Sequence, residues 1–98
     1  MTYQPLPDCV TIKKSKIHGL GLFATKDIRE SILGIGWVKQ DFFPDGFLRT
    51  PLGGFINHSE TPNCEKLMHE EVGVMWLKTM RDIKAGEELT VEYTLYQL

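Results

Sequence analysis

The chain has 98 residues, enough for about one hydrophobic core, so a two-domain organisation is excluded. Its 42% hydrophobic, 10% aromatic and 24% charged content is that of an ordinary globular domain, which argues against disorder, collagen and coiled coil. Eleven Lys+Arg against thirteen Asp+Glu leave a net charge of -2, too balanced for a protein that holds nucleic acid by neutralising phosphates.

The lead-in carries Pro5, Pro7 and Asp8 where an export signal needs an apolar core, and the apolar runs that follow are too short to span a bilayer. Neither export nor membrane anchoring is expected. Cys9 and Cys64 are the only cysteines, and with three histidines they show no CxxC or HxxxH spacing, so neither a disulfide scaffold nor a metal site is expected. A reducing, intracellular location follows as the expectation, cytoplasmic in the simplest case, with a nuclear or host-cell site left open.

Nine glycines and five prolines punctuate short apolar runs, a pattern that predicts strands joined by turns. Val10 to Lys13 reads as a first strand. Leu22 to Thr25 reads as a second, after the turn Gly19-Leu20-Gly21. Ile32 to Val38 is a third, and Gly34 and Gly36 within it predict a bulge or a second backbone approaching closely. Gln40 to Thr50 holds Pro44-Asp45-Gly46 between aromatics and reads as a hairpin-like loop. Cys64 to Met80 predicts a buried hairpin around Glu71-Val72-Gly73, its second strand apolar on both faces. Lys84-Ala85-Gly86-Glu87 makes a polar turn before Leu89, Val91 and Tyr93, whose period of two marks a final strand. No helical period exceeds about two turns, so the fold is expected to be mostly β with few short helical turns.

Three constellations could carry chemistry, and taken singly each is ambiguous. Gly19-Leu20-Gly21 can bring backbone groups close to a polar ligand, but it lacks the third glycine and helix of a dinucleotide site and serves equally as a plain turn. Asn57-His58-Ser59, followed by Pro62-Asn63, could be binding chemistry or an Asx turn with a partly exposed histidine. A hydrolase is disfavoured, because neighbouring residues on an extended chain point apart and no GxSxG accompanies His58 and Ser59. The third constellation is Gly86-Glu87-Glu88-Leu89-Thr90-Val91-Glu92-Tyr93. A tyrosine in an unplaced strand would be read as core with its hydroxyl satisfied.

Taken together and in order, these segments resemble the SET domain, the protein-lysine methyltransferase fold. Residues 15–28 (Ser15 to Ile28) look like the first motif of that family, 55–63 (Phe55 to Asn63) like its central motif and 80–93 (Met80 to Tyr93) like its last. The resemblance implies a single SET-type β-clip over 1–98, with short strands, small sheets and a C-terminal pseudoknot in which the central and last motifs meet. It implies S-adenosylmethionine as cofactor, held by His18, Gly19, Leu20 and Gly21 at the turn and by the Asn57 side chain and the His58 main chain; Tyr96 is read either as a stacking ring over the adenine or as an aromatic packed on the core. It implies Tyr93 as the catalytic tyrosine and a lysine-bearing peptide or protein as substrate.

The match has departures. Glu60 stands where the family often has cysteine, the Ile32 to Trp37 stretch lacks a common tyrosine, and Val91 replaces a frequent aromatic. Closure of the lysine channel is left to Thr94 to Leu98, to the 40–50 loop or to a second subunit in a homodimer. The expected function is S-adenosylmethionine-dependent methylation of a protein lysine. The alternative is a catalytically weak SET-like β-clip acting as a protein-interaction module.

Overall fold

Two small sheets and one helical turn carry the molecule in the computed structural model, which describes residues 6–39, 46–69, 71 and 73–92. The elements are β1 (Val10–Lys14), β2 (Leu20–Ala24), β3 (Ile32–Lys39), β4 (Phe47–Arg49), α1 (Pro51–Gly54), β5 (Asn57–His58), β6 (Cys64–His69), β7 (Val74–Thr79) and β8 (Glu88–Val91). One sheet runs β1-β2-β8-β5 and the other β4-β3-β7-β6. The second strand begins at Leu20 rather than Leu22, because Leu20 and Gly21 pair with Lys14 and Lys13 as the turn closes. Gly19 takes the positive φ of +46° that this closure needs, and its carbonyl accepts from Ser15 N at 2.7 Å.

The glycines of β3 mark two register shifts against β7, one between Ile32 and Gly34 and one between Ile35 and Trp37. A second backbone does approach. A Cβ on Gly36 would lie 3.4 Å from Gly53 Cα, and one on Gly53 would fall on the Gly36 carbonyl and the Trp37 ring. Thr50 ties the two segments together: its N–H donates to Gly36 O at 2.9 Å and its hydroxyl to Ile35 O at 2.8 Å. The same Thr50 is the N-cap of α1, with Pro51 in the first turn. Pro-Leu-Gly-Gly has little helical preference of its own. Docking on β3 and burial of Leu52 therefore account for α1, a helical turn that sequence periodicity does not reveal.

The hairpin of β6 and β7 runs in continuous register from Cys64↔Thr79 to His69↔Val74. In β7, which lies between β3 and β6, Val74, Met75, Leu77 and Thr79 are buried, while β6 is half-covered. Strand β4 pairs with β3 as the hairpin reading requires, although Pro44 and Asp45 lie outside the described residues. In β8 the alternation is lost to burial: Leu89, Thr90 and Val91 are all inside, since this strand is flanked by β2 and β5. Leu22, Leu52, Ile56, Leu77, Ile83, Leu89 and Val91 form the best-buried part of the core, each worth about 1.5–3 kcal/mol.

Asn63 fastens β8 from the side. Its amide donates to Glu88 O at 2.9 Å and accepts from Thr90 N at 2.8 Å, so one side chain reproduces the two bonds that a neighbouring strand would make.

Two core-edge groups titrate abnormally and with opposite effects on stability. Burial, which outweighs the lowering contributions of a Thr90 backbone hydrogen bond and the Arg81 charge, pushes the Cys64 thiol up to about 12. Burial and then the nearby Arg49 charge pull the Lys66 ammonium down to about 8, with Lys66 Nζ 4.7 Å from the centroid of the Trp37 ring. From about pH 8 to the ordinary lysine value the unfolded chain binds more protons at Lys66, so this group makes stability rise with pH. From the ordinary thiol value of 9.0 to about 12 the unfolded chain has lost the Cys64 proton that the native state keeps, so this group makes stability fall. The melting deficit of Cys64→Ala relative to the parent should therefore shrink as pH rises above 9, read from thermal melts across that range. A deficit independent of pH would contradict the assignment.

Candidate functional site

The short strand β5 pairs in parallel with β8, Asn57 opposite Thr90 and His58 opposite Val91, and Ser59 N continues the ladder to Val91 O at 3.0 Å. The central and last motifs thus lie side by side, as the fold resemblance implies. The pairing aims Asn57, 7% exposed, at the Gly19-Leu20-Gly21 turn. Asn57 Nδ2 donates to His18 O and Leu20 O, both at 3.1 Å, and to Glu88 Oε2 at 2.9 Å. A primary amide has two N–H hydrogens, so three acceptors share them. Because all three neighbours are oxygens, the nitrogen must face them, and Oδ1 is necessarily turned the other way.

Glu88 reaches this point through strand register. It lies opposite Phe23 across β2 and β8, which sets its side chain diagonally over Gly21. A Cβ on Gly21 would fall on the Glu88 carboxylate and lie 3.0 Å from Asn57 Nδ2, so a side chain here would displace the carboxylate from this place. Ser15 completes the group. Its hydroxyl donates to both Glu88 carboxylate oxygens at 2.8 Å and accepts from Ile17 N at 2.9 Å, so the carboxylate is bonded to the start of the turn as well as to Asn57.

The structure therefore brings His18, Leu20, Gly21 and Asn57 together, with Gly19 shaping the turn. His58 follows Asn57 on β5, half-buried. Tyr93 and Tyr96 lie outside the described residues. Ile17 and Leu20, 52% and 51% exposed, give the turn an apolar rim. Among the described residues no three His, Cys, Asp or Glu side chains form a group that could hold a metal ion. Glu88 and Ser15 lie inside quoted motifs, but nothing in their local sequence singles them out. Only the Phe23↔Glu88 register places the carboxylate.

The family model for the SET domain matches residues 38–94, more than half of the chain. The chain belongs to the SET-domain family. The histone-lysine N-methyltransferase trithorax of Drosophila virilis is 30% identical over an alignment 119 positions long, gaps included, and its Drosophila melanogaster counterpart 29%, each alignment covering 88% of this chain. The chain spans about 3% of the length of these relatives. A crystal structure of a candidate histone methyltransferase from Plasmodium falciparum superposes with a TM-score of 0.69 at 22% identity, over 90% of this chain and 95% of that one. The likeness shows a shared fold: the two small sheets, the helical turn and the β5–β8 crossing are the SET β-clip.

In this SET domain two of the positions that depart from the expected motifs are placed: Val91 is wholly buried against the core, and Glu60 is exposed. Neither departure touches the Asn57 cluster.

Proposed function

We propose that this SET domain is an S-adenosylmethionine-dependent protein-lysine N-methyltransferase. The observation that carries the reading is the convergence of His18 O, Leu20 O and Glu88 Oε2 on Asn57 Nδ2 beside a glycine whose missing Cβ leaves room for the Glu88 carboxylate. The turn carbonyls at this cluster are acceptors, which suits a ligand end bearing an ammonium group. The described residues therefore fit an amino-acid-bearing cofactor, with the turn His18 to Gly21 and the Asn57 amide at that end; the motif resemblance assigns the His58 main chain to the adenine and Tyr96, outside the described residues, as a cover. When bound, S-adenosylmethionine supplies a methyl group on a sulfonium.

The chain's own task is then to position and to exclude water. An in-line displacement requires a neutral lysine amine on the axis of the breaking bond, and alignment of this kind supplies much of the rate. The Tyr93 phenol oxygen, by its place in the motif, is the group assigned to hold that alignment. The trithorax relatives carry the name histone-lysine N-methyltransferase, so a lysine in a basic, histone-like tail is the first substrate class to offer.

Calorimetric titration with S-adenosylmethionine and with its demethylated product, S-adenosylhomocysteine, tests the cofactor assignment. Both should bind the parent chain, and Asn57→Ala should weaken binding by about 1–3 kcal/mol, the cost of leaving buried partners unsatisfied. A folded Asn57→Ala protein with parental affinity would contradict the site. Binding by the parent without methyl transfer would favour the interaction-module reading.

A further inference from the structure

We propose that Glu88 is a positioning residue for cofactor binding, acting through Asn57. The inference rests on the function proposed above and adds a residue to it. Three features single out this carboxylate. It accepts from Asn57 Nδ2 at 2.9 Å and from Ser15 Oγ at 2.8 Å, so it bonds both the central motif and the segment that opens the glycine turn. It lies 73 positions from Ser15 and 31 from Asn57, so no local preference brings these groups together, and the contacts exist only once β2, β5 and β8 are paired. It also occupies the space over Gly21 that a Cβ would need.

The consequence is orientational. An amide can present either its nitrogen or its oxygen to a neighbour, and a half-turn about the Cβ–Cγ bond of Asn57 exchanges them at almost no steric cost. An ionised carboxylate accepts and never donates, so Glu88 stabilises only the orientation with Nδ2 toward it. That choice turns Oδ1 away from the turn carbonyls, so the amide presents its oxygen, not its nitrogen, on the side opposite them. The two backbone carbonyls favour the same orientation, but they belong to an exposed turn whose opening residue is itself held by Glu88 through Ser15. Loss of the carboxylate therefore removes one acceptor directly and loosens the other two.

Glutamine is the conservative test. Its Oε1 can still accept from Asn57 while Nε2 donates to the Ser15 hydroxyl, which can reverse its role. Glu88→Gln should therefore retain S-adenosylhomocysteine affinity within about 3-fold, whereas Glu88→Ala should lose about 10- to 100-fold, the range for a hydrogen bond to a charged group. Because Glu88 acts largely through Asn57, the losses of Asn57→Ala and Glu88→Ala should be clearly less than additive in the double variant.

Asn63→Ala is the control for simple loosening of β8. It removes both side-chain bonds to that strand without touching the turn, so it should lower the melting temperature and leave affinity at the parental value. Calorimetric affinities and melts on these variants decide between the outcomes. Parental affinity in a folded Glu88→Ala protein overturns the proposal. So do additive losses in the double variant, or an Asn63→Ala affinity loss matching that of Glu88→Ala at equal melting temperature. If the parent itself fails to bind S-adenosylhomocysteine and S-adenosylmethionine, the functional reading falls and this inference with it; if the parent binds, only the behaviour of Glu88 is judged.

Discussion

Gly53→Ala should cost more than about 3 kcal/mol, a large share of the stability of a domain this small. The new methyl would land on the Gly36 carbonyl and within 2.8 Å of the Trp37 ring, and a carbonyl inside β3 cannot step aside as the tip of a flexible side chain can. Relief requires α1 to lift from β3, which breaks the Thr50 bonds to Ile35 and Gly36 and uncovers Leu52. The damage should reach the site, because the chain runs directly from α1 through Phe55 and Ile56 into Asn57. Gly54→Ala is the matched comparison. Its methyl would meet only Arg49 Cβ at 3.7 Å, an ordinary contact, so alanine's better helix propensity should leave it neutral or stabilising by up to about 1 kcal/mol. Denaturant melts of the two variants check this, and a Gly53→Ala protein as stable as Gly54→Ala would contradict the close approach.

Tyr93→Phe should keep cofactor affinity and lose turnover by a factor on the order of 10 to 1000. The substitution retains the ring and removes one oxygen, so a loss confined to kcat identifies that oxygen as an aligning group, whereas parental turnover on a verified substrate would return Tyr93 to the core. If the variant instead adds more methyl groups than the parent, the oxygen limits room in the channel.

How much of this was legible in the sequence depended on whether the cause was local. Gly34 and Gly36 announced an irregular strand with a close neighbour, since a side chain missing inside an apolar run marks a bulge or leaves room for another backbone, and both register shifts of β3 fall there. Asn57 and the Gly19-Leu20-Gly21 turn could be named from ordered motifs before their contact was known, and they meet at 3.1 Å. Helix α1 was hidden because Pro-Leu-Gly-Gly forms a helical turn only under tertiary docking. Glu88 was hidden for a related reason: a glutamate after a polar turn looks solvated until Phe23 is known to lie opposite it. The boundary of β2 moved by two residues because turn closure, rather than hydrophobicity, decided where pairing began.

Methyl transfer itself is the most direct measurement of the central claim. Incubating the chain with methyl-labelled S-adenosylmethionine and a set of lysine-bearing histone-tail peptides should place the label on a lysine side-chain nitrogen, and Asn57→Ala should reduce it at a fixed cofactor concentration. Label on no lysine of any peptide, from a parent chain that binds S-adenosylmethionine in the same buffer, would contradict the assignment as a lysine methyltransferase.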